Sequence, residues 1–299
     1  MDAEALARAL PMSAAIDALE AGFRRPLAEA PLRSHLDTSS GSLLVMPASG
    51  DAGVGVKLVT LTPGNPATGR PYIQAVYVLF DATSQAPRAV IDGAALTALR
   101  TGAVSGLATR FLARPDASRL VVFGAGVQAH SHVAAMRAVR PVRRVTVVGR
   151  DASRAEAFAA ELRGDGLDAA VGGAEAVADA DIVCTCTTSD TPLFDGAMLA
   201  EGAHVNAVGA YLPTTRELDT ATVVRSRVVV ETRDVAMAEA GAILLPIAEG
   251  AITPGHVVAD LAEVVTGAAV RRSADDVTTF LSVGAAFEDL IVAAAAVTP

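Results

Sequence analysis

The 299-residue chain has no tryptophan, two cysteines, five histidines and, among its 24 Lys and Arg residues, one lysine. Two cysteines, Cys184 and Cys186, make no disulfide framework. The scattered histidines show neither H-E-x-x-H nor Cys/His spacing, so no metal is expected. His130 and His132, two residues apart, do not share a helix face. There is no G-x-S-x-G nucleophile turn and no G-K-[ST] phosphate loop. No apolar run approaches the roughly 20 residues needed to span a bilayer, so no membrane partner is expected. The acidic, helix-periodic segment MDAEALARALPMSAAIDALEAGF lacks the basic-then-apolar order of a signal peptide. A formal net charge of -9 argues against nucleic acid, whose phosphates need a basic surface. What remains is 52% hydrophobic and 19% charged, well away from disordered compositions. A cytoplasmic globular protein of one large domain or two ordinary ones is expected.

The single lysine is Lys57. Where arginine serves almost everywhere, a retained lysine marks a position suited to a compact ammonium that can release its proton. Chance retention, or a solubilising lysine at a strand edge, is the plainer alternative.

Read for organisation, the chain changes rhythm near Pro115. Segment 1–30 has helical spacing in Leu6, Leu10, Ile16, Leu19 and Phe23. Residues 42–48, 54–62 and 72–80 are rich in β-branched and aromatic residues and are separated by Pro, Gly and Asn turns, which predicts antiparallel strands. Alternation in VKLVTL places Lys57, Val59 and Leu61 on one face. A helix over 94–113 follows. Beyond it, RLVVFGAGVQAHSHVAAM and RVTVVGRDASRAEAFAAEL each read strand then helix, and AEAVADADIVCTCTTS, HVNAVGA and RVVVET add further strands. Such alternation predicts a parallel doubly wound sheet. Segment 275–298 reads as helix, with Asp275 or Asp276 as its cap. The fold class is therefore α/β. A Rossmann-type domain over 116–274 joins an α+β substrate-binding and dimerisation domain with antiparallel strands, built from 1–115 and 275–299.

Gly124-Ala125-Gly126-Val127-Gln128-Ala129 fits G-x-G-x-x-G/A between an apolar strand and a helix. Gly124 permits the tight turn, Gly126 lets backbone approach a pyrophosphate, and Ala129 allows close helix–strand packing. The helix N-terminus supplies free N–H groups and the positive end of its dipole. A purely structural glycine turn is the alternative. The next strand ends Val147-Val148-Gly149-Arg150, where an NAD enzyme usually places an acid for the ribose 2′-hydroxyl. Gly149 removes that acid, while Arg150, with Arg154 one turn on, suits a 2′-phosphate. NADP(H) is expected ahead of NAD(H); Arg150 as a solvated surface residue is the other reading. Asp151 and Ser153 are candidates to cap the following helix.

Taken together, GVKLVT, YIQAVYVLFD, ALTALRTGAVSGLATRFLA, VVFGAGVQAHSH, NAVGAYLPTTREL and SVGAAFEDL resemble the ornithine cyclodeaminase/mu-crystallin family over about residues 30–295. The resemblance implies a two-domain homodimer that binds NAD(P)(H) and acts on α-amino or α-imino acids. Its substrate domain combines the N-terminal part with a returning C-terminal helix. It also implies Arg33 and Arg100 as carboxylate clamps, a role that suits a planar guanidinium. Lys57 matches the family's active-site lysine, and Gln74 falls near another substrate-facing position. Thr101 and Ser282-Val283-Gly284 resemble positions near the cofactor's phosphate and nicotinamide ends. The 54–80 strands, apolar on both faces, are the expected dimer interface.

One departure matters. Cyclodeaminases carry an aspartate where this chain has Tyr211, whose ordinary pKa near 10 makes it a poor base at neutral pH. The resemblance therefore points toward the reductases of cyclic ketimines, with Tyr211 lining the substrate site. Two alternatives stay open: a cyclodeaminase or amino-acid dehydrogenase using NAD, and an NADPH-gated small-molecule binding protein.

Overall fold

A computed structural model describes residues 1–297. The chain divides into two compact units, one formed by Met1–Val104 and the chain from Ala285 onward, the other by Ser105–Gly284.

The first unit opens with α1 (Ala3–Ala9) and α2 (Met12–Phe23). The helical period across 1–30 is thus carried by two helices. Pro11, which has no N–H to donate, stands between them as the N-cap of α2. Five antiparallel strands follow in spatial as well as chain order: β1 (Ser34–Thr38), β2 (Gly41–Gly50), β3 (Gly53–Leu61), β4 (Ile73–Phe80) and β5 (Pro87–Asp92). The three predicted strands are β2, β3 and β4. The strand β1 escaped prediction because all five of its residues are exposed, leaving no burial alternation to read. Asp92 then accepts the N–H groups of Ala94 and Ala95 and starts α3 (Gly93–Leu112), which runs on into the second unit.

The second unit alternates β6 (Arg119–Phe123), α4 (Val127–Val139), β7 (Arg144–Val148), α5 (Ala152–Gly164), β8 (Asp168–Val171), β9 (Ile182–Thr185) and β10 (His204–Ala207). It continues through α6 (Thr220–Arg225), β11 (Ser226–Val230), α7 (Arg233–Glu239), α8 (Gly241–Ala248), β12 (Val257–Asp260), α9 (Leu261–Val265) and β13 (Val277–Leu281). Its eight strands form one sheet in the order β12-β11-β13-β10-β9-β6-β7-β8. Every pairing is parallel, as strand–helix alternation requires. Cys184, on β9, is fully buried, and burial pushes its thiol up to about 12.

The expected continuous helix over 275–298 is corrected here. Val277–Leu281 is a central strand, buried at all five positions, and a short buried apolar run carries no period that separates strand from helix. Asp276 does not cap a helix; its carboxylate accepts the N–H groups of Arg272 and Ser273 and braces the turn before β13. Only afterwards does α10 (Ala286–Val297) return to the first unit. It packs on α2, β2 and β3, with Phe287 edge-on to Phe23 at 5.3 Å between ring centroids.

Candidate active site

The first unit holds a buried ionic cluster. Along β3 the buried positions alternate, so Lys57, Val59 and Leu61 face inward while Leu58 and Thr60 face out, as the sequence alternation predicts. Lys57 is only 1% exposed. A buried ammonium is costly unless paired, and α10 supplies the pair. Lys57 Nζ lies 2.8 Å from Asp289 Oδ1 and 2.7 Å from Oδ2. The Arg100 guanidinium, from α3, joins both acids of α10: Nε donates to Asp289 Oδ1 at 3.2 Å and Nη1 to Glu288 Oε2 at 3.1 Å. Glu288 and Asp289 are wholly buried in the first turn of α10, where the helix dipole favours negative charge.

Burial lowers the Lys57 pKa to about 8, assisted by the Arg100 charge and opposed by Asp289. Arg33, half-buried just ahead of β1, adds a smaller lowering, which places its charge within reach of the lysine. Tyr77 is the cross-strand neighbour of Lys57, and its buried hydroxyl makes no hydrogen bond among the described residues. Burial first, and the Asp289 charge second, push that phenol far above its ordinary range. Gly55 leaves the necessary room, since a Cβ there would stand 2.0 Å from the Tyr77 hydroxyl. Gln74 is different. It pairs with Thr60 and is exposed, on the sheet face opposite Lys57, so the structure does not bring it to this cluster. Thr101, next to Arg100, is buried with a hydroxyl that has no hydrogen-bond partner among the described residues.

The second unit holds a cradle at the end of β6. Gly124 has φ +107°, and a Cβ on it would meet the Cys186 carbonyl at 2.6 Å, so the turn needs glycine. Gly126 is the N-cap of α4 and offers no side-chain cap to its N–H groups. Nothing lies within 4 Å of the point where a Cβ on Gly126 would stand. Open amides beside free space at a helix N-terminus fit a pyrophosphate. Ala129 is fully buried against the sheet, as close packing demands. Ala125 lies within the turn and accepts an Arg154 Nη2 contact at 3.5 Å, while Val127 is exposed and the buried Gln128 Oε1 has no hydrogen-bond partner among the described residues. Gly149 and Arg150 follow β7 and are exposed, and Asp151 rather than Ser153 caps α5. His132 is buried and neutral, its pKa lowered to about 4 by burial. Its Nδ1 lies 2.7 Å from the Gln128 carbonyl and must carry the proton, so Nε2 accepts from the Ser105 hydroxyl.

Two buried acids missed by sequence reasoning shape the neighbouring loops. Glu231, at the end of β11, accepts from the Ser282 hydroxyl at 2.6 Å and from the N–H groups of Val283 and Gly284. It thereby fixes the three residues expected near the nicotinamide. Glu217 accepts from the Thr185 and Thr187 hydroxyls and from the N–H groups of Thr187 and Gly209, tying the loop after β9 to the loop after β10. Burial raises its pKa against those four donors. Tyr211 lies just beyond, half-buried and packed on the apolar core of this unit. Among the described residues, no three His, Cys, Asp or Glu side chains form a metal-sized group.

Residues 2–298 match the sequence model of the ornithine cyclodeaminase/mu-crystallin family. The chain belongs to this family. A Δ1-pyrroline-2-carboxylate reductase of Bacillus cereus is 38% identical over 272 residues, covering 88% of this chain and 83% of the relative. The ketimine reductase mu-crystallin of Rattus norvegicus is 38% identical over 255 residues, covering 85% of this chain and 79% of the relative. Among solved structures, Thermococcus litoralis Δ1-pyrroline-2-carboxylate reductase, in complex with NADH and L-proline, is 35% identical with a TM-score of 0.95, over 99% of this chain and 95% of that one. Family membership rests on the whole chain, so it embraces both the ionic cluster and the glycine cradle.

The acids of the cluster had one legible signal. A lysine and an arginine read as buried require carboxylates, and the FED run of SVGAAFEDL is where the C-terminal helix supplies them.

Proposed function

We propose that this family member reduces cyclic ketimines such as Δ1-pyrroline-2-carboxylate and Δ1-piperideine-2-carboxylate to the cyclic L-amino acids L-proline and L-pipecolate, using NADPH. The observation that carries the reading is the buried Lys57–Arg100 pair on Asp289 and Glu288, a proton source and a carboxylate-binding cation held together. Its relatives' names, and a neighbour's complex with NADH and L-proline, support the same chemistry.

The open glycine cradle suits the dinucleotide, which supplies the hydride when bound. In this reading the first unit is the substrate-binding and dimerisation domain and the second the NAD(P)-binding domain. Arg100, with Arg33, binds the substrate carboxylate and fixes the ring's orientation. Lys57 donates its proton to the imine nitrogen, leaving a neutral amine on Lys57 and a cationic, electrophilic C=N. C2 of that cation, held by the arginines, is where the hydride of a bound nicotinamide would be accepted to give the secondary amine, and solvent returns a proton to Lys57. The net reaction consumes one ketimine, one reduced nicotinamide and one proton. Thr101 and the Ser282–Gly284 backbone complete the proposed cofactor contacts, with Tyr211 on the substrate side. The absence of an acid at Gly149 and the presence of Arg150 favour the 2′-phosphate of NADPH.

The deciding assay follows loss of reduced-nicotinamide absorbance with NADPH or NADH, each offered both ketimines. Turnover favouring NADPH is expected. Preference for NADH would keep the reaction and discard the Arg150 argument. Absence of turnover with either, alongside ammonia release from ornithine with NAD, would replace this reading with cyclodeamination.

A further inference from the structure

The ionic cluster contains more than the reaction strictly requires. Lys57 and Arg100 face two adjacent acids, and adjacent helix residues point about 100° apart, so both seldom serve one site. Here the Arg100 side chain spans them, Nη1 on Glu288 and Nε on Asp289. Asp289 alone also reaches Lys57, and it does so with both oxygens.

We propose that Asp289 is a positioning residue for the reaction: its carboxylate, fixed by Arg100, holds the Lys57 ammonium charged and aimed. The inference rests on the reading of Lys57 as proton donor. The groups facing Lys57 are Asp289 with Glu288 behind it on α10, Arg100 on α3, Tyr77 on β4 and Arg33 ahead of β1. The Tyr77 phenol stays neutral, its pKa raised by burial, so it adds no charge. Both arginines repel the ammonium, and burial disfavours it. Asp289 is therefore the one carboxylate that touches Lys57 and opposes all three effects. It is held in place by the Arg100 guanidinium, which donates Nε to Oδ1 at 3.2 Å, and it sits in the first turn of α10. Removing the charge would leave a buried cation beside two others, and its proton would be lost to water before substrate arrives.

Lys57 is the only lysine of the chain, which makes the test direct. Protein grown on lysine isotope-labelled at Cε gives one lysine signal, and its shift against pH reports Lys57 alone. The wild-type midpoint is expected near 8. In Asp289→Asn it should fall by about one unit or more, as loss of a contacting opposite charge implies. Glu288→Gln, which loses a contact to Arg100 but none to Lys57, should move it less. The alkaline limb of kcat/KM for ketimine reduction should move with the Asp289→Asn midpoint.

An unchanged midpoint in Asp289→Asn overturns the proposal. So does a displaced midpoint with an unmoved alkaline limb of kcat/KM, because Lys57 is then not the donor that Asp289 serves. If that variant does not fold, the wild-type titration decides. A buried lysine lacking an effective counter-charge titrates at about 5–6, and a midpoint there would overturn the proposal as well. The titration needs no substrate, so failure to reduce any ketimine would count against the proposed function and be told apart from a Lys57 that Asp289 does not hold.

Discussion

At the scale of single residues, the chemistry is set by how two buried cations are compensated. A lysine in water keeps its proton to well above pH 10, too tightly for efficient transfer near neutrality. Burial among Val59, Leu61 and Tyr77 lowers the Lys57 pKa, and Asp289 stops the fall at about 8. The sign of the pH dependence follows. Below about 8 Lys57 is protonated, as the proposed transfer to an imine requires; above it the protonated form declines tenfold per unit. With NADPH saturating, kcat/KM for the ketimine, which reports the free enzyme's groups, should therefore lose its Lys57 contribution as pH rises past about 8. A profile rising through that range would remove Lys57 as the acid. Lys57→Met keeps the length of the stem and deletes the proton. Turnover should drop by about 100-fold or more, the usual worth of a positioned acid, with NADPH affinity nearly unchanged because the glycine cradle is untouched. Wild-type-like turnover in this variant would exclude Lys57 from the mechanism.

At the scale of elements, legibility followed pattern. Strand β3 announced itself through strict alternation, and with it came the inward aim of Lys57. The turn from β6 to α4 was legible because its chemistry needs particular glycines: Gly124 for a positive φ, Gly126 for open space. Strand β13 was not, because five buried residues show no period at all. The acids Asp289, Glu288, Glu231 and Glu217 escaped for a related reason. Each reads in sequence as an ordinary charged residue of a helix or loop, and only tertiary contacts show that each is buried and paired with a donor. Gln74 failed by register: it pairs with Thr60 on the far face of the sheet, a distinction of one residue along the strand. The turn between β7 and α5 carries its own prediction. Arg150 and Arg154 are both exposed, and Arg154 touches the Ala125 carbonyl within the glycine turn. If they hold a 2′-phosphate, the double variant Arg150→Ala with Arg154→Ala should raise KM for NADPH roughly 10-fold or more, as loss of charge-assisted hydrogen bonds implies. KM for NADH should stay where it was. Equal effects on both cofactors would show that these arginines act on something other than the 2′-phosphate.

At the scale of the whole molecule, the five-stranded sheet poses the remaining question. Its inner face carries Lys57, Tyr77 and Leu79 against α10 and the rest of the first unit. Its outer face, by register, sets Val45, Leu58 and Val76 in one row and Pro47, Val56, Val78 and Val90 in the next. Leu36, at 60% exposure, and Val90, at 58%, continue the patch. Antiparallel sheets that face water usually alternate apolar with polar, and this one does not. An apolar surface of that extent signals a partner. The family resemblance makes a second copy of this chain the partner to test. A dimer closed through this face would bury on the order of 800 Å² from each subunit. Val78→Asp places a charge at the centre of the patch without altering the face that bears Lys57. Sedimentation velocity should then report a dimer for the wild type and a monomer for the variant, which would still titrate its single lysine near pH 8. A dimer that survives Val78→Asp would place the contact elsewhere. A wild type that is monomeric at micromolar concentration would leave the outer face of the sheet without the partner its composition calls for.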